Sequence, residues 1–130
     1  MNTLYKMLVI VIAGAMFILA HEGGHYLAAA SFGLDPQVAL EGPSTALAGF
    51  SVGVTHMPTT ALQDTIIVMG AYVLPLSLAL GFILLYSWKK REEFWLLAAI
   101  LIILVAVTLM PIPGAYQVDA NRIFSILLGF

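Results

Sequence analysis

The residues with the clearest chemical potential form the string His21-Glu22-Gly23-Gly24-His25. On an α-helix, side chains at positions i and i+4 lie on one face, one turn apart. The two imidazoles can therefore converge on one Zn²⁺, and Glu22 is placed to act as a general base toward a water molecule. A catalytic zinc has three protein ligands and one open position. The string thus predicts two metal ligands, His21 and His25, and a catalytic Glu22, with a third ligand from elsewhere.

The apolar surroundings of this string favour a functional interpretation. A charged side chain at mid-bilayer costs about 3 kcal/mol, and ionisable residues within a membrane span are functional candidates by default. Chance occurrence is one alternative, since the pattern fixes only three positions. A structural zinc site is another; it would not need Glu22 and would close the fourth position with a further ligand.

The composition indicates a membrane protein. Of the 130 residues, 62% are hydrophobic and 9% are charged, against about 25% charged in an ordinary soluble domain. A soluble fold of this size has too little interior to bury so much apolar surface. Cysteine is absent, so metal ligands must come from three His and seven Asp and Glu residues. The net charge of -2 offers no basic surface for nucleic acid.

Three stretches meet or nearly meet the length of about 20 residues that a membrane-spanning helix needs. They cover about residues 4–32, 64–88 and 93–110, and the first ends at Gly33 with Pro36 shortly after. The apolar run 7–20 after Lys6 also fits a cleaved signal peptide. Because that run continues unbroken into the His-Glu string, we predict a retained span.

The connection between the first two spans has a different pattern. Residues 33–63 contain several Gly and Pro residues and alternating pieces around Val38 and Val52, which predict short strands or a hairpin. After Pro111-Ile-Pro113-Gly114, residues 118–130 are too few to span a bilayer. The expected fold is an all-α membrane protein with three transmembrane helices, a short β-like hairpin between the first two, and a broken helix after the third. Residues 1–130 form one domain.

The distribution of basic residues predicts an orientation. Lys6 precedes the first span, Lys89-Lys90-Arg91 lies between the second and third, and residues 33–63 contain neither Lys nor Arg. The positive-inside rule then puts the N-terminus and the basic turn in the cytoplasm and residues 33–63 outside. We expect a multi-pass integral protein of the cell membrane.

Asp119 is the preferred third ligand. The first and third spans run in the same direction if the second returns between them, so the His-Glu string and Asp119 lie on the same side of the membrane. Asp119 also follows the Pro-Gly break, and irregular backbone at membrane depth is tolerated where it is buried in protein or lines a wet cavity. The alternative is that Asp119 is the N-cap of the last helix.

Other polar residues have more than one interpretation. His56 is a ligand, a substrate-contacting group or a surface loop residue. Arg122 pairs with Asp119, stabilises a developing negative charge or extends to the interface, and Asn121 either hydrogen-bonds substrate or solvates the start of the last helix. The acidic residues at span ends are explained by solvation; they are Asp35, Glu41 and Asp64.

These motifs resemble the site-2 protease family of intramembrane zinc metalloproteases. The string from His21 to His25, followed by Phe32-Gly33, is similar to the family's His-Glu-x-x-His helix and its Phe-Gly ending. Residues 69–76, with Gly70 and Pro75, are similar to the family's small-residue segment on the next span.

Residues 108–119 are similar to the family's Asn-Leu-Leu-Pro-x-Pro-x-Leu-Asp-Gly segment, in which the Asp is the third zinc ligand. The resemblance implies a protease that holds one Zn²⁺ per chain through His21, His25 and Asp119. Its substrate would be a membrane protein cut in or near its transmembrane segment. Thr108 stands where the family has Asn, Ala120 where it has Gly, and the gap before Asp119 is longer.

Those departures bear on substrate positioning, for which Thr108, Asn121, Arg122 and His56 are the candidate residues. They also motivate an alternative, a zinc-binding membrane protein without peptidase activity, such as a metal-handling or scaffold subunit. A further alternative is a metal-free helical partner. Because three short spans shield an intramembrane site poorly, we expect a homo-oligomer or a membrane partner within the lipid bilayer.

Overall fold

The computed structural model describes residues 1–41 and 51–109 of the chain. This part is mostly helical, and an antiparallel pair of strands joins the first two helices, with Val38 opposite Val54. The elements are α1 (Thr3–Ser31), β1 (Gln37–Glu41), β2 (Ser51–Thr55), α2 (Ala61–Lys89) and α3 (Glu92–Thr108). The expected hairpin is therefore present between the first two helices. The expected broken helix lies outside the described residues.

Local sequence signals set the ends of α1. The Asn2 side chain accepts a hydrogen bond from the Tyr5 N–H and caps the first turn. At the other end, Gly33 has φ +69°, a left-handed conformation that glycine adopts without a Cβ penalty. The Gly33 N–H donates to Ala30 and the Leu34 N–H to Ala29, both carbonyls of the last turn. This Schellman motif turns the chain out of the helix toward β1.

Local signals also delimit α2. Thr60 and Gln63 form a capping box, in which each side chain accepts a hydrogen bond from the other residue's N–H. The helix remains continuous through Pro75, which is fully buried. At its end Lys90 has φ 54°, and its N–H donates to the Tyr86 carbonyl. The chain therefore reverses within a very short turn, and α3 begins at Glu92.

Two helices, α1 and α2, are long and apolar enough to cross a membrane by length and composition. The third predicted span, α3, has 17 residues and is about 25 Å long, whereas a bilayer hydrocarbon core is about 30 Å thick. Large apolar side chains on α1 and α2 point away from the chain, including Leu4, Leu19 and Leu62 at 77%, 74% and 69% exposure.

The three helices pack on one another around a small core. The helices α1 and α2 come closest at Gly24 and Gly70, both of which lack side chains. A Cβ at Gly24 would lie 2.8 Å from the Cα of Ala71 and still closer to the Gly70 carbonyl. This close approach sets the two helix backbones nearly in contact at the level of the His-Glu string, as small residues do in membrane helix pairs. The core residues are Phe17, Val68, Ala71, Tyr72, Ala79, Leu101 and Val105.

Candidate metal centre

The two histidines of the string lie side by side on α1. Their ring centroids are 5.1 Å apart and the rings are nearly perpendicular, at 88°. With Zn–N bonds of about 2.0–2.1 Å and tetrahedral angles, two imidazoles on one zinc have centroids about 5 Å apart. The spacing of the His21 and His25 rings is therefore compatible with shared metal coordination without backbone movement.

A hydrogen bond from His25 fixes its tautomer. His25 Nδ1 lies 2.9 Å from the carbonyl oxygen of Ile67 on α2. A carbonyl oxygen only accepts, so Nδ1 carries the proton and Nε2 of the neutral ring carries the lone pair that a metal requires. Metal-binding histidines commonly donate their other ring N–H to such a partner, which also orients the ring. The glycine contact at Gly24 and Gly70 permits this bond because it brings the α2 backbone within reach.

Aromatic side chains surround the ring of His21. The ring of Phe17, one turn earlier on α1, is 5.5 Å away, and the ring of Tyr72 on α2 is 5.3 Å away in an edge-to-face arrangement. The Nδ1 atom of His21 is buried. These contacts restrict the ring to a narrow range of orientations and exclude water from one side of it.

Tyr72 also connects the histidines to the end of α3. Its hydroxyl donates to the carbonyl oxygen of Thr108 at 3.4 Å. The last turn of α3 is therefore one tyrosine ring away from His21. Tyr72 thus places the end of α3 at the level of the His-Glu string. Asp119 itself, like Asn121 and Arg122, lies outside the described residues.

The hydroxyl of Thr108 is turned into its own helix. Its Oγ1 lies 2.9 Å from the Leu104 carbonyl and 3.0 Å from the Val105 carbonyl, so its single proton is shared within α3. The oxygen retains acceptor capacity for a substrate N–H, but it offers no proton to a substrate carbonyl.

Glu22 faces a different direction from the histidines. It lines an apolar groove of about 450 Å³ on the outer side of α1, together with Leu19, Tyr26, Leu27 and Val38 of β1. Consecutive residues on a helix are rotated by about 100°, so Glu22 lies on the face of α1 next to the one that carries His21.

The remaining predicted ligand among the described residues, His56, is placed near the hairpin. It follows β2, and its Nδ1 lies 2.7 Å from the carbonyl oxygen of Met57. Within residues 1–41 and 51–109, no group of three or more His, Asp or Glu side chains is arranged to hold a metal. His21 and His25 therefore require a ligand from outside these ranges to complete a three-ligand site.

Two contributors to the site were missed in the sequence analysis. Tyr72 carries a hydroxyl in the middle of an apolar helix. That position was the only sequence signal that it could contact the histidine site. The carbonyl of Ile67 gives no signal, because every residue has one and only helix packing selects which carbonyl meets His25.

No known protein family, curated protein or solved structure was found to match the chain.

Proposed function

We propose that this chain is an intramembrane zinc metalloendopeptidase of the site-2 protease type. The observation that carries the proposal is the paired geometry of His21 and His25, with rings 5.1 Å apart and the His25 tautomer set by Ile67. A histidine that only fills space between two helices also needs a hydrogen-bond partner, but it does not need a second imidazole at the spacing of two metal ligands. Both features suit a metal ligand pair.

Membrane insertion is part of the proposal. In the most apolar 18-residue windows of α1 and α2, only 22% and 33% of the residues are buried within the chain. A core helix of a soluble protein is mostly buried, and apolar patches of this extent require a partner or a bilayer. Lipid around these faces accounts for them without a further protein.

In the proposed site, His21, His25 and Asp119 would hold Zn²⁺. The bound metal would act as a Lewis acid toward the scissile carbonyl and would make water more acidic. Glu22 accepts the proton of the attacking water on its carboxylate and then delivers it to the departing amine nitrogen. His25 has its Nε2 lone pair available for a metal because its Nδ1–H is donated to the Ile67 carbonyl. Phe17 and Tyr72 exclude water around His21.

The substrate class follows from the groove beside Glu22. Its lining is almost entirely apolar, and Val38 of β1 forms one wall. A transmembrane helix shields its peptide bonds, so a substrate must unwind before it is cut. The backbone of β1 offers an edge for such an extended segment. We expect cleavage within or beside a transmembrane segment, next to large apolar side chains.

Zinc analysis of the purified, detergent-solubilised protein tests the metal site. We expect one zinc per chain, lost in His21→Ala, His25→Ala and Asp119→Ala and retained in Glu22→Gln and His56→Ala. Circular dichroism of each variant separates metal loss from unfolding. Retention of zinc at parental affinity in folded His25→Ala would overturn the ligand assignment, and the same result in Asp119→Ala would remove the third ligand.

Cleavage is tested in proteoliposomes with a panel of tagged single-span peptides, read out by mass spectrometry. We expect cuts inside the apolar span by the parent chain and a loss of at least 100-fold in Glu22→Gln. Cleavage by Glu22→Gln at the parental rate, with zinc still bound, would contradict the mechanism.

One observation favours a second candidate, a zinc-binding membrane protein without peptidase activity. The Thr108 hydroxyl proton is shared between two α3 carbonyls, so this position lacks the amide donor that the resembled family has there. This candidate predicts zinc binding with no cleavage of any peptide in the panel. If Thr108→Asn gained cleavage activity, the missing amide donor at this position would be the reason that the parent chain does not cleave.

A further inference from the structure

A second groove lies at the opposite end of the helices from the histidines. It runs between the end of α2 and the start of α3, has a volume of about 470 Å³ and is lined almost entirely by apolar atoms. This volume lies in the range of about 300–1,000 Å³ that is typical of small-molecule sites. The groove is lined by Ile83, Tyr86, Trp95, Ala98, Ala99, Ile102 and Ile103.

Basic side chains lie in the adjoining groove and at the neighbouring end of α2. Tyr86 and Trp95 also line an adjoining, more polar groove that contains Lys6 and Glu92. The ammonium of Lys90 lies 5.7 Å from the centre of the Tyr86 ring, and Tyr86 lines both grooves. The ammonium of Lys89 lies 4.2 Å above the Trp88 ring. Both distances fall within about 6 Å, the range of a cation–π contact.

The neighbouring acidic groups leave a positive balance. Arg91 forms an ion pair with Glu93, and Glu92 offsets one of the three lysines at positions 6, 89 and 90. The site thus joins a slot for a hydrocarbon chain to an excess of positive charge, with interfacial aromatics between the two. That combination fits the geometry of an anionic phospholipid.

We propose that the groove between α2 and α3 binds an anionic phospholipid, with one acyl chain along Ala98 and Ala99 and the phosphate beside Lys89 and Lys90. The proposal rests on membrane insertion and is independent of the metal site. The basic turn of residues 89–91 would then bind a lipid phosphate in addition to setting the orientation of the helices in the membrane.

The test measures binding of a fluorescent phosphatidylglycerol and a matched phosphatidylcholine to the full chain in neutral detergent. We expect the parent to prefer phosphatidylglycerol at least tenfold. The double variant Lys89→Gln/Lys90→Asn should weaken phosphatidylglycerol binding by about 25-fold, since each basic residue near an anionic surface contributes a factor of about 5. Asn at position 90 also suits the left-handed backbone there.

A matched pair of substitutions on α3 tests whether the acyl chain occupies the groove. Ala99→Leu fills the groove and should weaken binding of both lipids, whereas Ala106→Leu adds the same bulk at an exposed position outside it. Equal lipid binding by the two variants would show that the acyl chain does not lie in this groove. Full competition by glycerol phosphate, which has no acyl chain, would show a small-anion site instead. A parent that does not distinguish the two lipids would overturn the proposal without any variant.

Discussion

Tyr72 shows how one side chain can connect two helices to the same site. Its ring contacts His21, and its hydroxyl reaches the Thr108 carbonyl at the end of α3. The ring is 4% exposed, so most of its contribution to stability comes from burial. The hydroxyl fixes the position of the end of α3 relative to the histidine pair.

We therefore expect Tyr72→Phe to alter metal binding more than stability. Removing a hydrogen bond of 3.4 Å should cost less than about 1 kcal/mol of unfolding free energy. Zinc affinity should fall by up to about tenfold, because the hydroxyl holds the end of α3, which precedes the proposed third ligand in the chain, beside the histidine pair. Tyr86→Phe makes the same change on the same helix, away from the histidines. Equal zinc affinities in the two variants, measured by competition with a chromogenic chelator, would show that the Tyr72 hydroxyl has no positioning role.

At the scale of elements, the decisive contact is the crossing of α1 and α2. Gly24 and Gly70 let the two backbones approach, and the His25–Ile67 hydrogen bond lies beside that crossing. The adjacent Gly23 is different, since a Cβ there would meet only the Leu74 Cδ2 atom at 3.7 Å. The two glycines therefore provide a matched comparison.

Gly24→Ala should destabilise the protein by about 3 kcal/mol or more, because the added Cβ meets backbone that cannot rotate away. Gly23→Ala should be neutral or should stabilise the helix by up to about 1 kcal/mol. Unfolding of both variants in detergent, followed by circular dichroism, measures the difference. Equal stability of the two variants would mean that the helices do not cross closely at Gly24.

Across the whole molecule, α2 separates the hairpin from the basic turn. It has 29 residues and is about 43 Å long, enough to cross a hydrocarbon core of about 30 Å. Met57, which lies four residues before α2, and Lys89, its last residue, are both exposed. The absence of cysteine allows each end to carry a single thiol label.

In intact cells, Met57→Cys should react with a membrane-impermeant maleimide, and Lys89→Cys should react only after permeabilisation, as the basic turn predicts. Labelling of both positions from the same side would show that α2 does not cross the membrane. The reverse pattern would keep the span and invert the orientation.

The sequence by itself determined the features that depend on near neighbours in the chain. His21 and His25 share a face because a helix repeats every 3.6 residues, α1 ends at Gly33 because glycine accepts a positive φ, and the strand pieces follow local alternation. The tertiary structure decided the rest. Only the crossing at Gly24 and Gly70 selects the Ile67 carbonyl as the partner of His25. Such contacts join residues 42 positions apart, and helix periodicity cannot predict which backbone will meet a side chain across that distance.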